Sequence, residues 1–304
     1  MTGETSVCYR TWRTELWLSV RAEPTPGLTR WLDSLLHDEV DTLDLLASRF
    51  RPDSMSTAVS RNAGHWTSVT WDFVEVLTAA LDAAAATGGL VDPLLGRAVV
   101  AAGYDMWAGQ DSGIAPGGLM GDWREIEVRG GRSGAEVRIP PQTALDLGAV
   151  AKGWLADRLA TIAHGSTGYD AVANMGGDLR IISPAQPWVV AADADVTGVD
   201  PVPLESEDAG LATSGIGHRQ WEGGHHLIDP RTGRPADTPW TSVSVLAATA
   251  AGANAAATAA LVAGSDGPRW LSDAGLDGWF VTPAGQQHAV GRWPQAAYPA
   301  PVGA

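Results

Sequence analysis

The sequence predicts an α+β fold: a single compact domain of mixed helices and largely antiparallel sheets, built either as one body or as two lobes. Helical and strand patterns are mixed along the chain rather than strictly alternating, which argues against a doubly wound parallel sheet. Candidate strands come in pairs joined by short turns, as in "AVANMGGDLRIIS", and this is typical of antiparallel hairpins. Because no repeat or clear linker divides the 304 residues, the predicted domain spans residues 12–293, between an N-terminal tail at 1–11 and a disordered tail at 294–304.

The first half of the chain predicts a strand, two helices and a hairpin. "WRTELWLSV" alternates apolar and polar residues, as a strand does, and apolar residues three and four apart from Trp31 to Leu46 predict a helix. A second helix is predicted over 70–87, with Thr70 or Asp72 as its N-cap. "WREIEVR" and "AEVRIPP" flank "GGRSG" and predict a β-hairpin.

The second half predicts a similar mixture. "ALDLGAVAKGWLADRLATIAHG" predicts a glycine-containing turn followed by a helix, and "PWVVAAD" predicts a short strand. "GLATSGIGHRQW" and "GHHLIDPRTGRP" together predict a second hairpin-like unit. "TSVSVLAA" predicts a strand that leads into an alanine-rich helix, and "GWFVTP" with "QHAVG" predicts a closing strand pair.

Charge and composition exclude several classes of function. A net charge of -15 argues against nucleic acid or an anionic membrane as a partner. Since Cys8 is the only cysteine, an intramolecular disulfide is impossible. The uncharged stretch from Val243 to Gly264 is dominated by alanine, which predicts a strand and a buried helix rather than a membrane segment. No charged segment followed by an apolar run opens the chain, so we expect a cytoplasmic protein.

Two polar residues interrupt the alanine-rich stretch "GANAAATAAL". Asn254 and Thr258 are four residues apart and therefore lie on one face of a helix. Small polar side chains inside a helix often satisfy neighbouring groups only. Alternatively, two oxygens on one face could be ligands of a hard cation such as Mg²⁺. The stretch itself leaves both interpretations open.

The segment "DLGAVAKG" places two glycines and Lys152 at the start of a predicted helix. Glycine-rich turns bring backbone amides close to phosphates, and a lysine adds a point charge. The segment lacks the spacing of a Walker A loop, so ordinary helix capping remains the alternative. Lys152 is the only lysine beside 19 arginines, which is consistent with a need for a compact ammonium at this position.

Two further turns carry candidate functional residues. "NMGGD" requires unusual backbone angles at Gly176 and Gly177, for which a plain hairpin turn is the simpler explanation. "HHLIDPRTGRP" offers a histidine as general base, with arginines near an anionic ligand. The alternative is a solvated turn in which Asp229 forms an Asx-turn before Pro230.

Taken together and in order, these segments resemble the ApbE family of FAD:protein FMN transferases. The resemblance runs from about Trp12 to Gly264. It is carried by "DLGAVAKG", "NMGGDLR", "ATSG" followed by "HLIDPRTGRP", and "SVSVLAATAAGANAAATAALVAG", with weaker matches at "FRPDS" and "LVDP".

The resemblance implies an enzyme that binds FAD with Mg²⁺, transfers FMN to a threonine or serine hydroxyl of an acceptor protein, and releases AMP. Its base is expected to be His226. The residues expected to bind FAD are Phe50, Leu90, Val91, Asp92, Asp146, Lys152, Asn174, Gly176, Gly177, Ser214, His226 and Ile228. The expected metal ligands are the carbonyl of Ala149 and the side chains of Asn254 and Thr258.

The sequence also departs from the family pattern. Asn254 stands where the family has a metal-binding aspartate, Phe50 replaces a tyrosine, and "TWRT" replaces an element that often reads Ala-Met-Gly-Thr. With no exported-lipoprotein leader recognised, the chain resembles a cytoplasmic member of actinobacterial type. The resemblance therefore predicts a protein-flavinylating transferase, with an FAD pyrophosphatase and a flavin-binding protein without turnover as the alternatives.

Overall fold

The computed structural model describes residues 3–109, 111–117, 120–130, 134–184, 186–194, 196–217, 219–222 and 224–293. The predicted disordered tail at 294–304 lies outside the described residues. The helices are α1 (Pro26–Ala47), α2 (Met55–Arg61), α3 (Trp71–Ala86), α4 (Gly96–Ala101), α5 (Tyr104–Ala108), α6 (Ala151–Thr167), α7 (Ala250–Val262) and α8 (Gly267–Asp273), with 3-10 turns at Trp123–Glu125 and Gly264–Asp266. The strands are β1 (Thr5–Thr11), β2 (Thr14–Val20), β3 (Thr67–Val69), β4 (Glu127–Gly130), β5 (Ala135–Arg138), β6 (Ala171–Met175), β7 (Asp178–Ile182), β8 (Trp188–Ala192), β9 (Val202–Ser206), β10 (Asp208–Gly215), β11 (Gln220–Trp221), β12 (Gly224–His225), β13 (Ile228–Asp229), β14 (Arg234–Pro235), β15 (Ser242–Ala247), β16 (Asp277–Val281) and β17 (Gln287–Val290).

A central eight-stranded sheet organises the fold, in the order β1-β2-β6-β7-β10-β15-β16-β17. Each neighbouring pair in this sheet is antiparallel. A second sheet has the order β3-β5-β4, and β8–β9, β11–β12 and β13–β14 are two-stranded. The predicted α+β class with largely antiparallel sheets is confirmed.

The N-terminal segment corrects one predicted boundary. Residues 5–11 form β1, which pairs with β2 from Thr5–Val20 to Thr11–Thr14. The N-terminal tail predicted over residues 1–11 is therefore wrong for residues 5–11. Only the side chains of Thr5 and Val7 are buried in this edge strand, so its sequence carries little hydrophobic alternation.

The second predicted hairpin-like unit is present only in part, where Gln220–Trp221 of its first segment pairs with Gly224–His225 of its second. "GLATSG" lies in β10, which pairs with β7 on one side and β15 on the other. The short hairpins that follow are β11–β12 and β13–β14. A buried central strand and a hairpin strand share the same local pattern, and long-range pairing decides between them.

Helices α1, α6 and α7 cover one face of the central sheet and contribute to the largest hydrophobic core. The other face packs against the β8–β9 hairpin, with Trp279 and Trp293 buried there. The sheet is thus covered on both sides, and the candidate site lies where α6 and α7 begin.

The close packing around α7 accounts for its high alanine content. Its residues are almost all buried, because the helix lies between β10, β15 and α6. A Cβ atom on Gly153 of α6 would lie 2.7 Å from the Ala250 carbonyl oxygen, so the two helices approach at backbone distance. Asp157 of α6 accepts hydrogen bonds from the amides of Ala250 (2.8 Å) and Ala251 (3.0 Å) and so caps α7. In the described part of the chain, neither α7 nor any other helix combines the length and apolarity needed to cross a membrane.

Candidate functional site

A polar cluster lies at the inner face of α7 and consists of Lys152, Asp178, Ser214, Asn254 and Thr258. The Ser214 Oγ atom is 3.0 Å from Thr258 Oγ1 and 3.4 Å from Asn254 Oδ1. Thr258 Oγ1 in turn lies 3.5 Å from Asn254 Oδ1, as expected for residues one helical turn apart. Three neutral side-chain oxygens, two from α7 and one from β10, therefore converge on one point.

Asp178, the first residue of β7, supplies the carboxylate of the polar cluster. Its Oδ2 atom accepts a hydrogen bond from Asn254 Nδ2 at 2.8 Å and lies 3.6 Å from Lys152 Nζ. Burial raises the pKa of Asp178, and the charge of Lys152 opposes this rise. Asp178 ends the segment "NMGGD" and was not among the predicted site residues. Its position at the end of a glycine turn and the start of a buried strand is the signal that could have identified it.

The glycine turn between β6 and β7 positions that carboxylate. Gly176 and Gly177 have φ values of +70° and +100°, so the predicted unusual backbone angles are present. Asn174 Oδ1 accepts a hydrogen bond from the Gly177 amide at 2.8 Å, which fixes the turn from within. A Cβ atom on Gly176 would lie 2.6 Å from the Thr14 side chain, because the β1–β2 hairpin packs against this turn.

An aromatic cluster forms a second part of the site and consists of Arg49, Phe50, Tyr104, Trp221 and His226. The Arg49 guanidinium carbon lies 4.2 Å from the Phe50 ring centroid and 4.8 Å from the Tyr104 centroid. The Tyr104 ring also contacts the rings of Trp221 and His226, each at a centroid distance of 6.0 Å. Flat ring faces and a planar guanidinium are typical surroundings for an aromatic ligand.

Arg49 connects the aromatic cluster to the "DLGAVAKG" segment. Its Nη1 atom donates to Asp105 Oδ1 at 2.7 Å, and its Nε atom lies 3.4 Å from Asp146 Oδ2. The other oxygen of Asp146 accepts from the Gly148 amide at 2.9 Å and shapes the turn before α6. Arg49 is only 6% exposed, and its Nη2 atom has no hydrogen-bond partner among the described residues. An unpaired buried donor of this kind costs about 1–3 kcal/mol.

The adjacent histidines have different environments. His225 is buried, with Nε2 3.0 Å from the Ala236 carbonyl and Nδ1 accepting from the Leu227 amide at 3.3 Å. The Nδ1 atom of His226 is buried and has no hydrogen-bond partner among the described residues. Burial, with the positive charge of Arg219 as the next contribution, lowers the pKa of His226 to about 3, so its ring is neutral at pH 7. His226 is therefore the histidine whose nitrogen is available to a ligand.

The segment "LVDP" lies beside the "DLGAVAKG" segment. The Asp146 amide donates to the Pro93 carbonyl at 2.8 Å, which aligns the two stretches. Asp92 is buried and accepts from the Leu94 amide at 2.8 Å, and burial raises its pKa to about 6. Val91 is buried and Leu90 is half-buried just before it, and Ile228 packs with Leu95, Ala98 and Val99 in a small core that Tyr104 also contacts.

Two cations relate the polar cluster to the aromatic cluster. Lys152 and Arg219 both lower the pKa of His226, and both stabilise the charged form of Asp178. Lys152 Nζ lies 3.6 Å from Asp178 Oδ2, and the Arg219 carbonyl accepts a hydrogen bond from the His226 amide at 3.3 Å. Sequence analysis expected Lys152 at the ligand but assigned no role to Arg219.

The donor atoms of the polar cluster are compatible in kind with the Mg²⁺ that the resemblance implies. Within the described ranges, no group of three or more His, Cys, Asp or Glu residues could hold a metal. Hydroxyl, amide and backbone carbonyl oxygens are nevertheless ligands for a hard cation, and Asp178 brings a negative charge beside them. Ala149, whose carbonyl is the third expected ligand, precedes the start of α6 by two residues.

Comparisons with known proteins identify the family of this chain. The model of the ApbE family matches residues 11–280. The FAD:protein FMN transferase of Treponema pallidum is 32% identical over 277 residues, covering 81% of this chain and 76% of that protein. That of Rhodobacter capsulatus is 33% identical over 242 residues, covering 74% of this chain and 44% of that protein.

Solved structures agree on the fold. The ApbE protein of Thermotoga maritima superposes with a TM-score of 0.79 at 23% identity, over 95% of this chain and 97% of that one. The apo flavinyl transferase ApbE of Pseudomonas stutzeri gives a TM-score of 0.77 at 18% identity, over 95% of each chain. With the family model spanning most of the sequence, the chain belongs to the ApbE family.

Proposed function

We propose that this protein transfers FMN from FAD to a serine or threonine hydroxyl of an acceptor protein and releases AMP. The enzyme class, a transferase acting on flavin, is confirmed by the names of the relatives. The observation that carries the proposal for this chain is the position of two cationic residues, with Lys152 beside Asp178 of the polar cluster and Arg219 bonded through its backbone to His226 of the aromatic cluster. Cations beside both clusters suit the pyrophosphate that joins the two halves of FAD.

Each surface has a separate role in the proposal. The aromatic cluster binds the flavin ring by stacking and edge contacts. Lys152 and Arg219 bind the pyrophosphate and offset its negative charge. Asn254, Thr258 and the Ala149 carbonyl would hold Mg²⁺, with Asp178 supplying the nearby negative charge. Bound Mg²⁺ would neutralise charge on the pyrophosphate and so make its phosphorus easier to attack.

His226 acts as the general base. The acceptor hydroxyl oxygen forms a bond to the FMN phosphorus, the bond from that phosphorus to the bridging oxygen breaks, and AMP leaves with that oxygen. The hydroxyl proton passes to Nδ1 of His226, the buried nitrogen without a hydrogen-bond partner among the described residues. The lowered pKa of about 3 keeps the His226 ring neutral at pH 7, and the negative charge of bound FAD raises its affinity for the proton.

The test is an incubation of the purified protein with FAD, Mg²⁺ and co-expressed candidate acceptor proteins. Intact-mass spectrometry should show an acceptor heavier by one FMN, and chromatography should show one AMP released per adduct. A Mg²⁺ and Mn²⁺ titration without adduct contradicts the proposal. AMP with an equal amount of free FMN identifies an FAD pyrophosphatase instead.

A second candidate function is flavin binding without turnover. It is favoured by the side chain of Asn254, which is neutral where a second carboxylate would be charged. The Asn254 amide donates a hydrogen bond to Asp178. This function predicts tightly bound FAD that stays intact in the presence of metal. We also propose a cytoplasmic location, which the single cysteine Cys8 supports because the chain cannot close a disulfide.

A further inference from the structure

Arg49 has a hydrogen-bond donor that none of the described residues uses. Its side chain is buried, yet the Nη2 atom has no partner within the described residues. Its Nη1 atom donates to Asp105, and its Nε atom forms an ion pair with Asp146 at 3.4 Å. Native proteins rarely leave a buried donor unsatisfied, so a missing partner of this kind points to a ligand atom.

The surroundings of that donor define the shape of the missing group. The guanidinium plane lies over the rings of Phe50 and Tyr104, and Asp146 fixes the edge that carries Nε. One N–H of Nη2 lies on the guanidinium edge that it shares with Nε and Asp146, and the other lies on the edge that it shares with Nη1 and Asp105. The partner is therefore an acceptor atom that approaches in the guanidinium plane, beside two aromatic rings.

Local charge indicates which kind of acceptor fits. Asp105 and Asp146 both face the single positive charge of Arg49, so this group of three side chains has a net negative charge. A phosphate would be repelled there, whereas a neutral carbonyl oxygen would not. The isoalloxazine ring of a flavin carries two such oxygens in its plane.

The position of His226 indicates which end of FAD lies beside the aromatic cluster. The His226 ring contacts the Tyr104 ring, which in turn lies under the Arg49 guanidinium. In the proposed function His226 serves the phosphorus that is bonded to the riboflavin part. The half of the substrate beside Tyr104 is therefore the flavin half.

We propose that Arg49 is a flavin-binding residue, whose Nη2 atom donates a hydrogen bond to a carbonyl oxygen of the isoalloxazine ring. This proposal rests on the flavin-binding part of the proposed function and not on the transfer step. Arg49 thereby selects for the flavin ring, while Lys152 and Arg219 bind the pyrophosphate.

The experiment compares ligands that contain only one end of FAD. Riboflavin has the ring without a phosphate, and ADP has the adenine and pyrophosphate without the ring. Arg49→Lys keeps the charge that Asp105 and Asp146 require but removes the fork. We expect it to weaken riboflavin and FAD binding by about tenfold or more, the loss typical of a hydrogen bond from a charged donor. ADP binding should stay within about twofold, as measured by titration calorimetry.

Arg51→Lys is the matched control, since Arg51 is two residues away and pairs with Asp53 and Asp44 at a more exposed position. It should change none of the three affinities. Equal losses of riboflavin and ADP binding in Arg49→Lys would overturn the proposal, because they would indicate a purely structural role. Unchanged riboflavin binding would overturn it as well.

A ligand series tests the same bond without changing the protein. In 2-thioriboflavin and 4-thioriboflavin one ring carbonyl oxygen is replaced by sulfur, a weaker acceptor. The unaltered protein should bind one of these analogues about threefold to tenfold more weakly than riboflavin. Equal affinity for all three compounds would overturn the proposal. Flavin binding without FMN transfer would sink only the transfer step, whereas a protein that binds no flavin contradicts both proposals.

Discussion

The polar cluster and the aromatic cluster differ in whether their buried polar atoms have hydrogen-bond partners within the described residues. In the polar cluster, Ser214, Asn254, Thr258 and Asp178 bond to one another, so its hydrogen bonds close within the protein. In the aromatic cluster, Arg49 Nη2 and His226 Nδ1 are buried without partners in the described part of the chain. The first region is therefore structurally complete by itself, while the second is complete only with a ligand. Within these two clusters, the unsatisfied atoms thus lie where the flavin is proposed to bind, and the satisfied ones lie where the metal is proposed to bind.

The largest expected effect concerns His226, whose buried Nδ1 atom has no hydrogen-bond partner among the described residues. His226→Gln should lower the rate of FMN transfer by about 10²–10⁴-fold, the contribution typical of a general base. FAD affinity should change little, because the ring contributes one contact to the aromatic cluster. Single-turnover kinetics with an acceptor, beside calorimetric FAD titration, separate the two quantities.

His225→Gln is the matched control for that experiment. The two ring nitrogens of His225 are engaged with Ala236 and Leu227, so its replacement should lower the melting temperature and leave the transfer rate nearly unchanged. A transfer rate that survives in His226→Gln but is lost in His225→Gln would reverse the assignment.

The support of the polar cluster is tested by its glycine turn. Gly176→Ala places a methyl group against Thr14 at a φ of +70° and should lower the free energy of unfolding by about 3 kcal/mol. Gly177→Ala also places a side chain at a positive φ (+100°) but with open space around its Cβ, so about 1–2 kcal/mol is expected. Urea denaturation measures both. Equal losses would show that the Thr14 contact contributes nothing to the turn.

Asp92 tests the pH dependence of stability on the side of the aromatic cluster. Burial raises its pKa from 3.8 to about 6, so the folded state binds more protons than the unfolded state between those values. This contribution to stability is therefore fully present below pH 3.8 and lost as the pH rises to about 6. At pH 7, Asp92→Asn should raise the free energy of unfolding by about 2 kcal/mol.

Asp82→Asn, at an exposed position of α3, is the control and should change stability by less than about 0.5 kcal/mol. His226 acts in the opposite sense, since its pKa is lowered from 6.5 to about 3 and its contribution is lost as the pH falls through that range. Denaturation curves from pH 3 to 8 for the single variants separate the two groups. If the difference in free energy of unfolding between Asp92→Asn and the unaltered protein did not change with pH, the assigned effect of burial on the Asp92 pKa would be contradicted.

The smallest expected effect concerns the charge of the polar cluster. Asn254→Asp adds a carboxylate beside Asp178, so it should lower stability without metal and strengthen Mn²⁺ binding by about tenfold. Melting curves with and without metal and electron paramagnetic resonance of Mn²⁺ provide the two readouts. Asn62→Asp, at the exposed end of α2, should leave Mn²⁺ affinity unchanged. Unchanged Mn²⁺ affinity in Asn254→Asp would place the metal elsewhere.

Much of the fold followed from local patterns. Thr70 caps α3 with its side chain, Asp229 forms the predicted Asx-turn with the Arg231 amide, and the hairpins β4–β5, β6–β7 and β16–β17 were recognised from alternation and turn residues. These features depend on residues close in sequence. The sheet position of β10 was not predicted, because its partners β7 and β15 are remote in sequence.

The same division applies to the site. The sequence by itself determined that Asn254 and Thr258 share a helix face and that a glycine turn precedes Asp178, since helical and turn geometry are local. Only the tertiary structure decided that Asp178 and Ser214 meet that face, that Arg49 lies beside Tyr104, and that His226 rather than His225 keeps an unbonded nitrogen. The physical reason is that burial and hydrogen-bond satisfaction are properties of packing between distant segments, which no local pattern encodes.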